Sequence, residues 1–147
     1  MLLKDIMTKD VVTVTPSTSL KEVCKILKEK RISGVPVVDE GGKIAGIVTI
    51  TDVLKIVQEV YQWQALEKNA YHMNISELLG KESLNTNAGN IMTKTVYTLD
   101  ENKNINDVMR LMFTNKIHTI PITREDKIVG IIGKRDLVYV ILSNLSR

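Results

Sequence analysis

Apolar residues recur at helical spacing in two separate parts of the chain. In the first part, Ser19-Leu20-Lys21-Glu22 has the pattern of a helix-capping box and stands at the start of the apolar series. Both parts have apolar residues at positions i, i+3, i+4 and i+7, which are Leu20, Val23, Cys24 and Leu27 and then Ile105, Val108, Met109 and Met112. The spacing predicts two amphipathic helices that each cover a core.

Runs of β-branched residues flank these helices. Val11–Val14 is a short strand candidate before the first helix, and "VPVV" and "IAGIVTI" follow it as a predicted hairpin around "DEGG". The second half has the matching hairpin "IPIT" and "IVGIIG" around "REDK", and each hairpin leads into a predicted helix at Asp52 or Asp136. The order of elements is therefore β-α-β-β-α, twice.

The two halves are an internal repeat. The segment from Asp5 to Val57 aligns with the segment from Asn90 onward, displaced by 85 positions and by 84 after a one-residue deletion in the hairpin. Fifteen aligned positions are identical, among them both copies of "IMT" and the pair Asp52 and Asp136. Similarity at this density indicates one supersecondary unit used twice. We expect an α/β (α+β) fold in which the copies bury their apolar faces on each other.

The sequence divides into a first repeat at 1–57, a helical connector and linker at 58–89, and a second repeat at 90–147. The connector is predicted to begin as an amphipathic helix and to end in the polar stretch "GKESLNTNAG". Its apolar and aromatic residues are predicted to pack against the other repeat or a second chain; they are Tyr61, Trp63, Leu66, Tyr71, Ile75, Leu78 and Leu79.

Composition narrows the class of protein. The 147 residues, 44% apolar and 25% charged, are typical of a globular chain. No apolar run reaches the roughly 20 residues that span a bilayer, and the start "MLLKDIMTKD" lacks the features of a signal peptide. We therefore expect a cytoplasmic location and no membrane partner. The net charge of +3 is dispersed and aromatic residues are only 4%, so nucleic acid is an unlikely partner.

Motifs for catalysis and metal binding are missing from the sequence. It contains no phosphate-binding P-loop, no G-x-G-x-x-G turn and no cysteine pair, and Cys24 falls in the apolar stripe of a helix. His72 and His118 are too far apart to indicate a local metal site. We expect no required cofactor, no metal and no enzymatic activity.

The order "IMT", "VVTVTPSTSLKE" and "GVPVVDEGGKIAGIVTITD" resembles a CBS domain, named after cystathionine β-synthase. The second copy matches through "NIMTKTVYTL", "NKIHTIPIT" and "DKIVGIIGKRD". The resemblance covers nearly the whole chain apart from the linker. It implies two CBS repeats packed with pseudo-twofold symmetry, a regulatory adenosine-containing ligand in clefts between them, and a homodimer that acts on a still unknown protein.

In motif, the chain is similar to the nucleotide-binding modules of the gamma subunit of AMP-activated protein kinase. There, sequences like "LTITD" hold ribose and "NKIHR" segments reach phosphate, which assigns ligand contacts to Thr49, Asp52 and His118 here. An Asp carboxylate suits a ribose diol because it accepts two charge-assisted hydrogen bonds. Thr119 stands where that subunit has arginine, which weakens the case for two or three phosphates.

Each of these residues also has a structural interpretation. Thr51 or Asp52 could simply cap the following helix, and His118 could be an ordinary surface residue. Gly34 would let a ligand approach the backbone, or it would satisfy a loop conformation. These alternatives stay open from the residues alone.

Further residues complete the two predicted clefts. An apolar slot for adenine is predicted from Val12, Thr13, Gly34, Val35 and Pro36, with Tyr97 and Ile120 as candidates for the other slot. The second, weaker cleft is predicted to use Arg31, Ser33, Thr98, Pro121, Arg135 and Asp136. Because Gly133 replaces Thr49 in that copy, we expect unequal clefts, with the Thr49 and Asp52 cleft the tighter one.

The predicted function is a sensor of AMP or ADP, or of ATP. The alternatives are a structural dimerisation module with empty clefts and a binder of S-adenosylmethionine.

Overall fold

A computed structural model describes the backbone of residues 1–68 and 84–147 of the chain. Side chains are described for residues 1–62 and 84–147. The first repeat contains α2 (Leu20–Lys30), β1 (Gly34–Val38), β2 (Ile44–Thr49) and α3 (Ile50–Lys68), and α1 (Leu3–Ile6) precedes it. α4 (Ala88–Ile91) precedes the second repeat, which contains β3 (Leu99–Asp100), α5 (Ile105–Asn115), β4 (Thr119–Arg124), β5 (Lys127–Gly133) and α6 (Lys134–Leu145). The predicted mixed fold of two repeats is confirmed.

Local sequence explains where the two repeat helices begin and end. Ser19 Oγ accepts a hydrogen bond from the Glu22 amide at 3.1 Å, and Asn104 with Asp107 forms a full capping box at the start of α5. Both helices end at a residue in the left-handed region, Arg31 at φ 53° and Lys116 at φ 54°. The predicted amphipathic pair is thus present, with equivalent caps and ends.

The hairpins form as predicted, but the first strand of the first repeat does not. β1 and β2 are antiparallel, as are β4 and β5, and β3 adds a short parallel strand to the second hairpin. Of the Val11–Val14 stretch, only Val14 pairs with β1, as an isolated bridge to Val37. The chain turns immediately afterwards, because the Thr15 amide donates to Thr18 Oγ1 at 3.1 Å. This strand is therefore shorter than the sequence indicated.

The short helices α1 and α4 are exchanged between the repeats. Leu3 of α1 is fully buried in the core of the second repeat, together with Val108, Ile120 and Ile132. Ala88 of α4 is fully buried in the core of the first repeat. Each core therefore contains a short helix from the segment that precedes the other repeat. The boundaries of the two repeats after residues 57 and 89 stay a prediction from the sequence.

Two glycines allow the exchanged segments to approach the hairpins. A Cβ placed on Gly46 would lie 2.5 Å from Met92 Sδ, and one placed on Gly130 would lie 2.2 Å from Met7 Sδ. Beside them, Ile47 bridges to Thr93 and Ile131 bridges to Thr8 through paired backbone hydrogen bonds. The same contact therefore occurs twice at the boundary between the repeats, which we call the seam.

The connector is described only in part. α3 continues to Lys68, which agrees with the predicted helix, and Tyr61 is 43% exposed. The other apolar connector residues lie outside the described side chains; they are Trp63, Leu66, Tyr71, Ile75, Leu78 and Leu79. Within 1–68 and 84–147, no helix is both long and apolar enough to cross a membrane.

Candidate functional site

Thr49 and Asp52 form a cap where β2 passes into α3. Asp52 Oδ2 accepts hydrogen bonds from the Thr49 amide at 2.9 Å and from Thr49 Oγ1 at 3.0 Å. Thr49 Oγ1 in turn lies 3.2 Å from the Asp52 amide. The capping interpretation is therefore correct for Asp52, which forms a capping box with Thr49, whereas the Thr51 hydroxyl makes no such bond among the described residues. The box holds the Thr49 hydroxyl and the Asp52 carboxylate side by side.

The other oxygen of Asp52 faces the second repeat. Thr93 Oγ1 donates to Asp52 Oδ1 at 3.0 Å, and the Thr93 backbone is held by Ile47 of β2. The Asp52 carboxylate thus contacts residues of both repeats at the seam. Thr93 is not among the site residues predicted from the sequence, although its identity with Thr8 in the repeated "IMT" is a visible signal.

The starts of the two hairpins meet beside this carboxylate. Ser33 Oγ lies 3.0 Å from Thr119 Oγ1, and the two hydroxyls share a hydrogen bond across the seam. A Cβ on Gly34 would lie 3.4 Å from Thr49 Cγ2 and 3.5 Å from Thr119 Oγ1. Thr49, Gly34 and Thr119 are therefore neighbours. Gly34 has no left-handed φ, so a conformational need does not explain this glycine.

His118 is exposed, and no hydrogen bond of its imidazole occurs in the described part of the chain. Its carbonyl accepts from the Lys134 amide at 2.9 Å, as the Ser33 carbonyl accepts from the Ile50 amide. The backbone at 118 is thus fixed beside the start of α6. The imidazole is not in contact with Asp52 through any hydrogen bond.

The equivalent position in the second repeat has fewer hydrogen bonds. Asp136 Oδ2 accepts only from the Gly133 amide, at 2.8 Å, and Oδ1 has no partner among the described residues. A Cβ on Gly133 would meet Asp136 Oδ2 at 3.5 Å, which is ordinary contact. Arg31, which follows the last residue of α2, and Arg135, in the first turn of α6, are both exposed. The two carboxylates are therefore unequal in their surroundings.

The predicted adenine-slot residues differ in accessibility. Val35, Pro36 and Pro121 are fully buried, so their side chains are not accessible from the surface. Thr13 and Thr98 are exposed, and Val12 is half-buried. Ile120 is fully buried, whereas Tyr97 is 39% exposed. Of the residues predicted for the adenine slots, those with accessible side chains are thus mainly Thr13, Thr98 and Tyr97.

A separate cleft of about 450 Å³ lies between the N-terminal segment and the second repeat and involves none of these residues. Arg124 binds Glu101 there through two hydrogen bonds, one of them from Nη2 to Oε2 at 2.8 Å. The guanidinium lowers the pKa of the Glu101 carboxyl below its ordinary value. The other lining residues are Lys4, Asp5, Met7, Lys9 and Val129.

The described part of the chain contains neither a metal-binding cluster nor a cysteine with the features of a reactive thiol. Residues 1–68 and 84–147 contain no group of three His, Cys, Asp or Glu side chains arranged to hold a metal ion. Cys24 is half-buried, and burial raises the pKa of its thiol. A raised thiol pKa disfavours the reactive thiolate, which agrees with a packing role.

Solved structures of similar proteins cover nearly the whole chain. The CBS domain pair of protein MJ0100, in complex with 5-methylthioadenosine and S-adenosyl-L-methionine, is 28% identical with a TM-score of 0.75, over 98% of each chain. CBSX2 of Arabidopsis thaliana, in complex with AMP, is 26% identical with a TM-score of 0.74, over 99% of this chain and 98% of that one.

A third structure matches over part of its length. Protein MJ1225 of Methanocaldococcus jannaschii, a homolog of g-AMPK, is 28% identical with a TM-score of 0.76, over 95% of this chain and 47% of that chain. The curated relatives vary in size, and this chain spans from 22% to 92% of their length.

The family model for the CBS domain matches residues 3–59 and 88–143, which include α1 and α4 as well as both hairpins. The same family model therefore matches two separate segments that together make up most of the chain, as expected from the internal repeat. The chain belongs to the CBS domain family and consists of a tandem pair of CBS repeats.

Proposed function

We propose that this protein is a regulatory module that binds an adenine nucleotide, AMP or ADP foremost and ATP less favourably, at the seam between its repeats. The main cleft uses Thr49 and Asp52. The ligand is a regulatory one and not a cofactor of catalysis, and we propose no enzymatic activity.

The observation that carries this proposal is the position of the Asp52 carboxylate. It lies at the start of α3, bonded to Thr49 of its own repeat and to Thr93 of the other. A carboxylate offers about four acceptor positions, so it suits the two neighbouring hydroxyls of a ribose. AMP in CBSX2 and two adenosine derivatives in MJ0100 support this ligand class.

The remaining parts of the ligand are assigned to hairpin and strand residues. Adenine would lie against backbone at Val12, Thr13, Gly34, Val35 and Pro36. His118 would donate to a phosphate, and Thr119 offers one hydroxyl where an arginine would hold several phosphates. The second cleft would use Arg31, Ser33, Thr98, Pro121, Arg135 and Asp136. We propose that it binds more weakly, because Gly133 has no hydroxyl.

Such a module can regulate a partner if its two repeats adopt more than one relative arrangement and if these arrangements differ in affinity for the ligand. A ligand held by both repeats favours the arrangement that brings them together, and a partner protein then responds to that population shift. We propose a homodimer as the assembled state. The cytoplasmic location stays a prediction.

Exposed apolar residues favour a second candidate function, a structural dimerisation module with empty clefts. Ile50 and Leu54 of α3 are each 52% exposed, and Tyr139 and Leu142 of α6 are 65% and 54% exposed. Faces of this kind often form interfaces between chains. A third candidate, binding of S-adenosylmethionine, is favoured by the MJ0100 complex.

Calorimetric titration with AMP, ADP, ATP and S-adenosylmethionine separates these candidates. We expect saturable binding of AMP or ADP that is weakened in Asp52→Ala and unchanged at this cleft in Asp136→Ala. Tighter binding of S-adenosylmethionine would favour the third candidate. No binding of any of the four at millimolar concentration, together with a stable dimer, would favour the empty module.

A further inference from the structure

The two equivalent threonines of the repeated "IMT" have different hydrogen bonds. Thr93 donates its hydroxyl to Asp52 Oδ1 at 3.0 Å, across the seam. Thr8 occupies the same place beside β5, with the same backbone pairing to Ile131. Its hydroxyl makes no hydrogen bond with Asp136 or any other described residue. One cleft therefore has a side-chain link between the repeats that the other lacks.

The link occupies acceptor capacity that a ribose would use. An ionised carboxylate accepts about four hydrogen bonds, two on each oxygen. Asp52 Oδ2 already accepts two from Thr49, and Oδ1 accepts one from Thr93. About one acceptor position is left, whereas a ribose diol donates two hydrogen bonds. Binding of the diol therefore requires one of the present donors to leave.

Thr93 is the donor that is easiest to displace. The two hydrogen bonds from Thr49 belong to the cap of α3, and losing them would weaken the start of that helix. The Thr93 hydroxyl is on an exposed residue and serves no cap. It can rotate away and hydrogen-bond to water instead. The cost of binding thus falls on the contact between the repeats.

We propose that Thr93 sets both the affinity and the sugar selectivity of the Asp52 cleft, because its hydroxyl competes with the second ribose hydroxyl for Asp52. The inference rests on the proposed function. A ligand with both hydroxyls must displace the Thr93 hydroxyl from Asp52, while the backbone pairing of Thr93 with Ile47 stays in place. A 2′-deoxy ligand donates one hydrogen bond fewer and leaves the Thr93 link in place.

The test compares AMP and 2′-deoxy-AMP by calorimetry on four proteins. These are the wild type, Thr93→Val, Thr93→Ser and the matched control Thr8→Val. Without the competing hydroxyl, Thr93→Val should bind AMP about 2- to 10-fold more tightly, the range for one hydrogen bond. Its affinity for 2′-deoxy-AMP should be unchanged. Thr93→Ser keeps the hydroxyl, so it should behave as the wild type, and so should Thr8→Val.

Three results would contradict the inference in distinguishable ways. Equal AMP affinities of the wild type and Thr93→Val would overturn the role of Thr93 and leave the proposed function intact. Equal gains for AMP and 2′-deoxy-AMP would overturn the competition for the second hydroxyl. Absence of AMP binding in all four proteins, each with a normal unfolding transition, would overturn the proposed function and the inference together.

Discussion

The substitutions Asp52→Ala and Asp136→Ala remove the same group from equivalent positions, and we expect them to have unequal effects on stability. Asp52 accepts three hydrogen bonds, two from Thr49 and one from Thr93. Asp136 accepts one, from the Gly133 amide. Each change removes the carboxylate that accepts from the amide of the residue just before its helix, but only the first also removes a link between the repeats.

The magnitudes follow from these contacts. Loss of one hydrogen bond costs about 1 kcal/mol, which is the expected loss in unfolding free energy for Asp136→Ala. For Asp52→Ala, the Thr93 link and the second bond from Thr49 add about 1–3 kcal/mol, since hydrogen bonds contribute about 0.5–1.5 kcal/mol each. We expect a total of about 2–4 kcal/mol. For a chain of this size the melting temperature falls by about 2–4 °C per kcal/mol.

Urea denaturation of the wild type and both variants measures the difference directly. The slope of unfolding free energy against urea should stay constant, because neither change alters the surface exposed on unfolding. With AMP present, Asp52→Ala should also lose about 1.5–3 kcal/mol of binding free energy, the range for a hydrogen bond to a charged group. Equal destabilisation by the two substitutions would refute the count of contacts on which this reasoning depends.

Three further predictions concern other parts of the chain. Gly46→Ala should cost about 1–3 kcal/mol of unfolding free energy because its Cβ would overlap a methionine, whereas Gly34→Ala, whose Cβ makes ordinary contacts, should cost less than 1; similar losses in urea titrations would contradict this. The lowered pKa of Glu101 should add stability that is complete above pH 4.5 and is lost as the pH falls through the folded pKa. Acid unfolding of Glu101→Gln should then show a smaller pH dependence, and an unchanged one would exclude this ion pair as its source. Gly133→Thr, which has room for a side chain, should strengthen AMP binding at the second cleft about 2- to 10-fold; unchanged calorimetric stoichiometry and affinity would mean that the missing hydroxyl is unimportant.

The sequence predicted most of the fold because the periodic patterns are local and occur twice. The apolar spacing predicted α2 from its first residue, Leu20, and the capping pattern placed Ser19 correctly. The β-branched runs predicted both hairpins. The prediction of a strand at Val11–Val14 was wrong in length, because only Val14 forms a bridge and the chain then enters a turn stabilised by Thr15 and Thr18. Propensity alone does not indicate how far a strand pairs.

The candidate site could be predicted only within each repeat. The pattern from Thr49 to Asp52 is short-range, so both the cap and the pairing of the two side chains were accessible to sequence reasoning. The hydrogen bond from Thr93 joins positions 41 residues apart, and no local pattern encodes it. The same holds for the contact of Ser33 with Thr119, which depends on how the repeats pack.

The exchange of α1 and α4 has a consequence for synthesis on the ribosome. Leu3 is buried against Val108, Ile120 and Ile132, which are translated long after it. The first repeat, in turn, receives Ala88 only after its own hairpin has emerged. Neither core is complete until most of the chain has left the exit tunnel, so the repeats should mature as one cooperative unit and not one after the other.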